Sequence, residues 1–374
     1  MKRILLTGTA LAGGMLFASV AQAQITVSLG GYTEFFAGFY DDDSSNRTNR
    51  EFELETEIVV RADGKADNGL LYGAKIELQN STGGGGATGV GTDEASVYLG
   101  GTWGRIELGD FDGAADTLKI YAPLVGIEQI DGDYGDFAAV TDPVSGLDFG
   151  GQPAFGIHIP NSGDATKAMY LTPRFAGFQA GISYTPESDS QAQNVVQFKD
   201  TVGYKDWIEG GVNYTGEFSG FSVALGATVS SASGKGDAVA GTELEDFTAW
   251  NVGAQVGFGG FLVGGGYVDA DDFNVTTGST GADQSVWHAG ISYTAGPVAV
   301  GASYMDAEGY KGAGGTYADD YKAYGVGAAY TLAPGMVVQT EFMYIDEDLR
   351  AAPNAGATVS NEGYVFIIGT RLDF

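Results

Sequence analysis

Residues 50–61 read REFELETEIVVR, and the alternation within this stretch decides the fold class. One face carries uncharged, mostly apolar side chains: Phe52, Leu54, Thr56, Ile58 and Val60. The opposite face carries charged side chains: Glu51, Glu53, Glu55, Glu57 and Arg61. A helix would spread these glutamates around its whole circumference, whereas a strand places successive side chains on opposite faces. The stretch therefore predicts a β-strand with one apolar face and one charged face.

The same period of two continues through LLYGAKIELQN (70–80) and WGRIELGD (103–110) and along most of the chain. Sixteen strand segments follow from it: about 25–40, 50–61, 70–80, 93–100, 104–110, 165–173, 178–186, 206–215, 221–233, 245–257, 261–269, 284–295, 297–307, 320–332, 336–346 and 362–374. We therefore predict an all-β fold.

The connections between these segments alternate between short turns and long polar stretches. An even number of antiparallel strands places both ends of the sheet on one side, with the short turns there and the long loops opposite. This layout predicts a 16-stranded antiparallel transmembrane β-barrel in the outer membrane, where closure leaves no unpaired strand edge. A secreted β-sandwich that binds a partner is the alternative, but it gives no reason for regular short and long connections.

Composition and charge narrow the function. The 374 residues contain no Cys and carry a formal net charge of −30, which repels nucleic acid and excludes it as a partner. At 44% hydrophobic residues and 12% aromatic residues the chain is not disordered by composition. After the first residues, no uninterrupted apolar run reaches the length of about 18 residues that a helical membrane span needs.

The first 23 residues have the pattern of a secretory signal peptide. Lys2 and Arg3 precede a short apolar run that ends in the small-x-small site Ala21-Gln22-Ala23. We expect cleavage between Ala23 and Gln24, which leaves residues 24–374 as the barrel. An uncleaved signal anchor is the alternative.

One connection, about residues 111–164, is much longer than the others. A barrel of sixteen strands is too wide for its own side chains to fill, so a segment that folds inward would narrow it. The apolar side chains of Leu118, Ile127 and Ile130 would pack on the wall. The acidic side chains would then project into the pore: Asp112, Asp116, Glu128, Asp131, Asp133 and Asp136.

Four features, in this order, resemble the Gram-negative general porins, most closely the alphaproteobacterial branch. They are ITVSLGGYTEF (25–35), WGRIELGDFDGAADTL (103–118), YLTPRFAGFQAGISYTPE (170–187) and the terminal Phe374. The resemblance implies a homotrimer in contact with outer-membrane lipid and lipopolysaccharide, with an inward-folded loop 3. It also implies that Phe374 is part of a signal for the barrel-assembly machinery.

The resemblance further implies that basic wall residues face the carboxylates of loop 3. The candidates in this sequence are Arg61, Lys75, Arg105 and Lys167. For Lys75 and Arg105 an equal alternative is a salt bridge within the lumen, to Glu77 and Glu107 respectively.

The function that follows is passive diffusion of ions and small hydrophilic solutes through a water-filled pore, with a preference for cations and without a cofactor. A substrate-specific channel would instead need a path of aromatic side chains, for which Tyr121, Tyr134 and Phe137 are candidates. An outer-membrane hydrolase is the enzymatic alternative, with His158 and His288 as the only histidines.

Acid clusters also suit calcium, which takes several oxygen ligands. The candidates are Asp131 with Asp133, and the runs at 41–43, 269–272 and 346–348. None has the spacing of a recognised calcium loop, and solvated loop acids are the alternative.

Overall fold

The computed structural model describes residues 25–43, 48–80, 89–142, 145–237, 240–279, 284–311, 316–351 and 356–374. Sixteen strands form a closed antiparallel barrel in which each strand pairs with its neighbours. The prediction of a 16-stranded antiparallel barrel is thereby confirmed. The expected signal peptide, residues 1–23, lies outside the described residues.

The barrel strands are β1 (Thr26–Asp42), β2 (Arg50–Lys65), β3 (Leu71–Asn80), β4 (Val90–Gly101), β5 (Gly104–Asp110), β8 (Thr166–Leu171), β9 (Phe178–Glu187), β10 (Gly203–Phe218), β11 (Phe221–Lys235), β12 (Phe247–Phe258), β13 (Phe261–Asp269), β14 (Ser285–Ala295), β15 (Val298–Lys311), β16 (Thr316–Ala333), β17 (Met336–Arg350) and β18 (Val359–Asp373). The segment between β5 and β8, residues 111–165, is loop 3. It contains α1 (Ala114–Leu118), a 3-10 helix (Gln129–Asp131), α2 (Tyr134–Ala138) and a two-stranded ribbon of β6 (Val140–Thr141) and β7 (Asp148–Phe149).

Several strands extend beyond the segments predicted from the apolar alternation. For example, β16 begins at Thr316 rather than near residue 320, and β15 continues to Lys311. Backbone pairing continues past the apolar band into a region where the side chains are polar, so hydropathy marks the band and not the full strand. None of the helices in the described ranges is long and apolar enough to cross a membrane.

The barrel closes between β1 and β18. Their register pairs Phe36 with Gly369 and Tyr40 with Val365. Beyond the last strand residue, Phe374 and Gly31 exchange two backbone hydrogen bonds of 3.0 Å. The final residue of the chain is therefore part of the seam.

The outer face of the barrel is apolar and carries a row of aromatic rings. Neighbouring centroids lie 4.7–5.8 Å apart along five adjacent strands, at Trp287, Tyr304, Tyr324, Tyr344 and Tyr364. Aromatic rings in such a row are typical of the interface between membrane and water.

Some aromatic side chains near strand ends do not belong to this outer surface. The hydroxyl of Tyr32 donates to Glu55, and that of Tyr98 donates to Asp63 at 2.5 Å, both inside the barrel. Tyr32 and Tyr98 therefore do not belong to an outer girdle, although both lie towards an end of a strand. Position along a strand indicates the height of a ring, whereas its parity in the pleat decides the face.

The inside of the barrel contains a hydrophobic core of its own, because loop 3 packs against the wall. Ile127, Ile130 and Tyr134 of loop 3 are fully buried there. The wall contributes Met343, Ile345 and Ile367, which belong to the same cluster, among other side chains. This explains why Ile367 is apolar although its side chain points inward: loop 3 covers it.

Candidate pore constriction

Loop 3 follows the inner wall around most of the barrel, from β8 to β1. Helix α1 contacts β8, β9, β10 and β11, whereas the 3-10 helix contacts β15, β16 and β17. Helix α2 then reaches β18 and β1. The loop therefore lies as a shelf along the lumen wall and narrows the passage.

A row of glycines on six strands lies beneath residues 118–126 of this shelf: Gly211, Gly226, Gly253, Gly290, Gly301 and Gly327. At three of them the loop backbone occupies the space of a side chain, and at Gly290 a Cβ would lie 2.6 Å from the carbonyl oxygen of Pro123. A Cβ at Gly253 would lie 1.7 Å from the carbonyl oxygen of Ile120, and a Cβ at Gly327 would lie 1.7 Å from that of Val125. Only glycine permits so close an approach between wall and loop.

Buried and half-buried polar side chains of the wall bind the backbone of loop 3 along its length. Glu209 on β10 accepts hydrogen bonds from the amide and the hydroxyl of Ser162, at 3.1 and 2.6 Å. Gln255 on β12 donates to the carbonyl of Tyr121 at 2.7 Å. Because a buried polar group is costly when it is unpaired, these contacts fix the position of the loop.

Lys167 belongs to the same set of anchors. Its side chain on β8 is buried, and its ammonium group donates to the carbonyl oxygens of Phe111 and Gly163. The structure therefore places Lys167 where the two ends of loop 3 meet and not at the water-filled surface. A basic residue at the start of a strand carries no mark in the sequence that separates these two positions.

The start of the 3-10 helix in loop 3 has an unusual backbone. Glu128 has a φ of 60° and Gln129 a φ of 49°, in the left-handed region that non-glycine residues rarely adopt. Each such residue costs about 1–2 kcal/mol, so the surrounding contacts must hold it. The side chain of Glu128 is exposed to the lumen.

Carboxylates of loop 3 face carboxylates of the wall. Burial and the nearby side chains of Glu128, Glu34 and Glu55 raise the pKa of Asp133 to about 9. The pKa of Glu128 is also raised, by partial desolvation of its carboxyl group and by the nearby carboxylate of Asp131. The carboxyl of Asp136 lies within hydrogen-bonding reach of Glu53. Acidic side chains of the loop and of the adjacent wall therefore lie side by side here.

A second acidic group lies near α1. Asp116 forms an ion pair of 2.5 Å with Lys119, which is also in loop 3. Burial, reinforced by Asp116, Asp164 and Glu94, raises the pKa of Asp112 to about 7. The carboxyl group of Asp112 therefore titrates near neutral pH and not in the usual acidic range.

Asp131, another predicted pore acid, pairs with a histidine. Its carboxylate contacts Nε2 of His158, and the His158 ring packs edge-on against Tyr121 with centroids 5.8 Å apart. The second histidine, His288 on β14, is buried and accepts a hydrogen bond from the amide of Ala122 through Nδ1 at 3.3 Å. Both imidazoles thus hold loop 3 in its position.

The basic candidates of the wall are mostly neutralised by neighbours on the wall itself. Lys75 pairs with Glu77 at 3.0 Å and also with Glu94. Arg105 pairs with Glu107 at 2.8 Å. For these two residues the structure thus shows the lumen salt bridges that were the alternative in the sequence.

Arg61 lies four residues before the end of β2, near the short turn to β3, and is exposed. Its position is therefore towards the end of the barrel opposite the long loops.

Arg371 on β18 is a further base that faces inward, and it was not among the wall bases predicted from the sequence. Arg371 pairs with Glu34 at 3.2 Å and with Asp373 at 3.0 Å, and it stacks over the ring of Tyr32. Its inward position follows from the alternation of the last strand.

The aromatic residues considered for a sliding path do not line the passage together. Tyr134 and Phe137 are buried in the core beneath the loop, and the hydroxyls of Tyr134 and Tyr321 share a hydrogen bond of 2.6 Å. Tyr121 is half-buried and borders a lumen cavity of about 610 Å³.

The carboxylates that converge most closely are not the predicted calcium candidates. In the described part of the chain, the ligand atoms of Glu57, Glu77 and Asp93 lie within 4.8 Å of one another. By contrast, Asp346 and Glu347 point to opposite faces of β17, since Glu347 is buried in a pair with Lys311. Neighbouring acids in a strand do not form a shared site.

A closed sixteen-stranded barrel, apolar outside and crossed inside by an acidic shelf, defines a membrane pore. A family model described as Gram-negative porin matches residues 7–349. The chain therefore belongs to the Gram-negative porin family, and it is located in the outer membrane as a multi-pass β-barrel.

The relatives matched by sequence have low sequence identity to this chain. An uncharacterized protein of Rickettsia bellii is 27% identical over 223 residues, which is 52% of this chain and 50% of that protein. An uncharacterized protein of Rickettsia conorii is 24% identical over 201 residues, 47% of this chain and 44% of that protein. The chain thus spans about half the length of the curated relatives it matches.

Solved porin structures share the fold. A multiply substituted variant of the Rh. blastica porin has a TM-score of 0.58 at 20% identity, covering 93% of this chain and 100% of that chain. An anion-selective porin from Comamonas acidovorans has a TM-score of 0.59 at 16% identity, covering 94% and 100%. At these identities the likeness concerns the fold alone.

Proposed function

We propose that the protein is a general diffusion porin through which ions and small hydrophilic solutes pass passively, with a preference for cations. The observation that supports this most directly is the acid-against-acid arrangement of loop 3 and the β1–β2 wall. Glu128 and Asp136 on the loop lie beside Glu34, Glu53 and Glu55. The nearby bases Arg371 and Lys75 are each held in ion pairs.

The physical basis is the potential in a confined aqueous passage. One unit charge at 4 Å changes the energy of a passing ion by about 1 kcal/mol in bulk water, and by more where low-dielectric walls confine the water. Several carboxylates around the lumen therefore concentrate cations and repel anions. The wall charges that pair with one another add dipoles, which favour solvated polar solutes over apolar ones.

Transport by diffusion needs no nucleophile, cofactor or metal, so we assign the protein no enzymatic activity. The two histidines support this assignment, since both are engaged in holding loop 3. A structural calcium ion is a secondary proposal, and Glu57, Glu77 and Asp93 offer more convergent oxygens than Asp131 and Asp133 do.

The proposed partners follow from the membrane location and the resemblance. They are outer-membrane lipid and lipopolysaccharide on the outer face, two further copies in a homotrimer, and the barrel-assembly machinery acting on the strand that ends in Phe374. Small hydrophilic solutes and ions occupy the lumen, and nucleic acid is not a partner.

The test is the reversal potential of purified protein in a planar bilayer under a salt gradient. We expect a reversal potential whose sign indicates cation preference. For Glu128→Gln we expect a lower cation-to-anion permeability ratio. Glu362→Gln is the matched control, because Glu362 is exposed on β18 and lies on the same side of that strand as Tyr364 in the outer row. Anion preference of the unmodified protein would overturn the proposal.

The same preparation separates a general porin from a substrate-specific channel. A general porin conducts in proportion to salt concentration, and sugars or amino acids do not block it at saturating levels. Saturable block by one solute would favour the substrate-specific alternative instead.

A further inference from the structure

Glu341 on β17 is a carboxylate sealed between the wall and loop 3. It is 1% exposed. Its Oε2 accepts hydrogen bonds from the backbone amides of Ile127, at 3.1 Å, and Gln129, at 2.6 Å. Its Oε1 is buried and makes no hydrogen bond to the described residues. A carboxylate in such surroundings is unfavourable unless its contacts are specific, so these two amide bonds define its place.

The two amides that Glu341 binds flank a single residue, Glu128. This is the part of loop 3 with consecutive left-handed residues, Glu128 and Gln129. The side chain of Gln129 turns back and accepts a hydrogen bond from the amide of Val125 at 2.9 Å, which closes the turn from the other side. Glu341 thus supports, from beneath, a backbone shape that Glu128 would not adopt by itself.

The left-handed backbone at residues 128–129 determines which side chain of this segment faces the lumen. While its neighbours Ile127 and Gln129 are buried, the side chain of Glu128 is exposed and borders the cavity of about 610 Å³. The cavity is also bordered by Lys119 and Asp131, which are both engaged in ion pairs within the protein. Glu128 is therefore the carboxylate of this segment that is available to ions in the passage.

We propose that Glu341 is a positioning residue for ion selection, which holds residues 127–129 so that the carboxylate of Glu128 stands in the path of permeating cations. Glu341 does not touch the ions and acts only through the two amides. The inference rests on the proposed function, since it assigns the cation preference of the pore to a particular pair of residues.

The first test compares permeability ratios for potassium and chloride in planar bilayers. Glu128→Gln should lower the ratio at least about five-fold, because the loss of about 1 kcal/mol of attraction for the cation alone corresponds to that factor. Glu341→Ala should lower it nearly as much, and the double variant should be no lower than Glu128→Gln alone. Glu341→Gln retains a side-chain oxygen that can accept both amides, and it should keep more than half of the preference on a logarithmic scale.

Glu209→Ala is the matched control, because Glu209 is also a buried wall carboxylate that binds the backbone of loop 3, at Ser162 instead. Glu209→Ala loosens loop 3 at a different place. Any loss of selectivity that it causes should be independent of Glu128, so its fold-change in the permeability ratio should multiply with that of Glu128→Gln in the double variant. The proposal is overturned if the effects of Glu341→Ala and Glu128→Gln multiply in the same way. It is also overturned if folded Glu341→Ala keeps the wild-type ratio.

A second measurement covers the case in which Glu341→Ala does not assemble, which heat-dependent gel mobility would show. The chain contains no Cys, so Glu128→Cys creates a single thiol in the lumen. Glu341→Asp keeps a buried carboxyl group but withdraws its oxygens by one methylene, and it should change the rate at which a charged thiol reagent modifies residue 128 by several-fold. Glu341→Gln should leave that rate within two-fold.

An unchanged rate with Glu341→Asp refutes the positioning role. If instead the wild-type pore has no cation preference while the thiol rates behave as expected, the proposed function fails and the positioning of residue 128 by Glu341 stands.

Discussion

The glycines beneath loop 3 provide a direct perturbation of the constriction. Gly253→Ala and Gly327→Ala each add one methyl group to the inner wall, where the carbonyl oxygens of Ile120 and Val125 now lie. The added carbon would stand 1.7 Å from either oxygen, whereas real contacts of this kind do not fall below 3.0 Å. Wall and loop must therefore separate by at least about 1.3 Å, the difference between these two distances.

The direction of this movement follows from the closed barrel. The wall is held by backbone hydrogen bonds to both neighbouring strands, so loop 3 yields and moves into the lumen. The passage becomes narrower and the single-channel conductance falls. Overpacking of this size costs about 1–3 kcal/mol in the free energy of unfolding. For a chain of this length that corresponds to a thermal midpoint lower by about 1–4 °C.

The assay is single-channel conductance in a planar bilayer, together with the temperature at which the folded form disappears on a detergent gel. Gly210→Ala is the matched control, because a Cβ at Gly210 meets its nearest atom at 3.4 Å, an ordinary contact. It makes the same chemical change on a barrel strand and leaves loop 3 in place. If Gly253→Ala and Gly327→Ala match this control in conductance and thermal midpoint, then loop 3 is not seated on the glycine row as described.

Three further expectations concern single residues. Because the pKa of Asp112 is about 7, raising the pH from 6 to 8 adds a negative charge to loop 3; the cation-to-anion permeability ratio should rise over this interval, and Asp112→Asn should remove most of the rise. Lys167→Met leaves two buried carbonyl groups without their donor; it should lower the free energy of unfolding by at least about 1 kcal/mol, and an unchanged thermal midpoint would contradict this. Deletion of Phe374 removes its two backbone bonds to Gly31; the yield of assembled barrel should fall while assembled pores keep their conductance, and equal yields would refute this assignment.

The strands and the closure of the barrel could be predicted from the sequence because they depend on a local pattern. Side chains alternate with a period of two, and one apolar face is required wherever a strand contacts lipid. The stretch at 50–61 shows this alternation in full, and its register in β2 agrees with it. The strand ends were less accessible, since β15 and β16 continue into the polar region where that signal stops.

The wall residues that contact loop 3 could not be predicted from the sequence in the same way. Leu118, Ile127 and Ile130 are apolar, and their burial followed from that alone. The partners did not follow, because Gly253 lies 133 positions from Ile120 and glycine in a strand has several structural meanings. Likewise, Lys167 and Glu341 are charged residues whose burial against backbone groups depends on tertiary contacts.

For the charges of the constriction, the family resemblance and the local sequence lead to different predictions. A basic wall opposite an acidic loop was the expectation from the family, yet the strand at 50–61 already carried Glu51, Glu53, Glu55 and Glu57 on one face. Once the apolar face of that strand is assigned to lipid, those four carboxylates must enter the lumen. Bases on the neighbouring strands then serve to pair individual acids, as Lys75 does with Glu77, and cannot balance the whole set. The acidic face of β2 thus predicts the charge of the passage from the same alternation that predicts the fold.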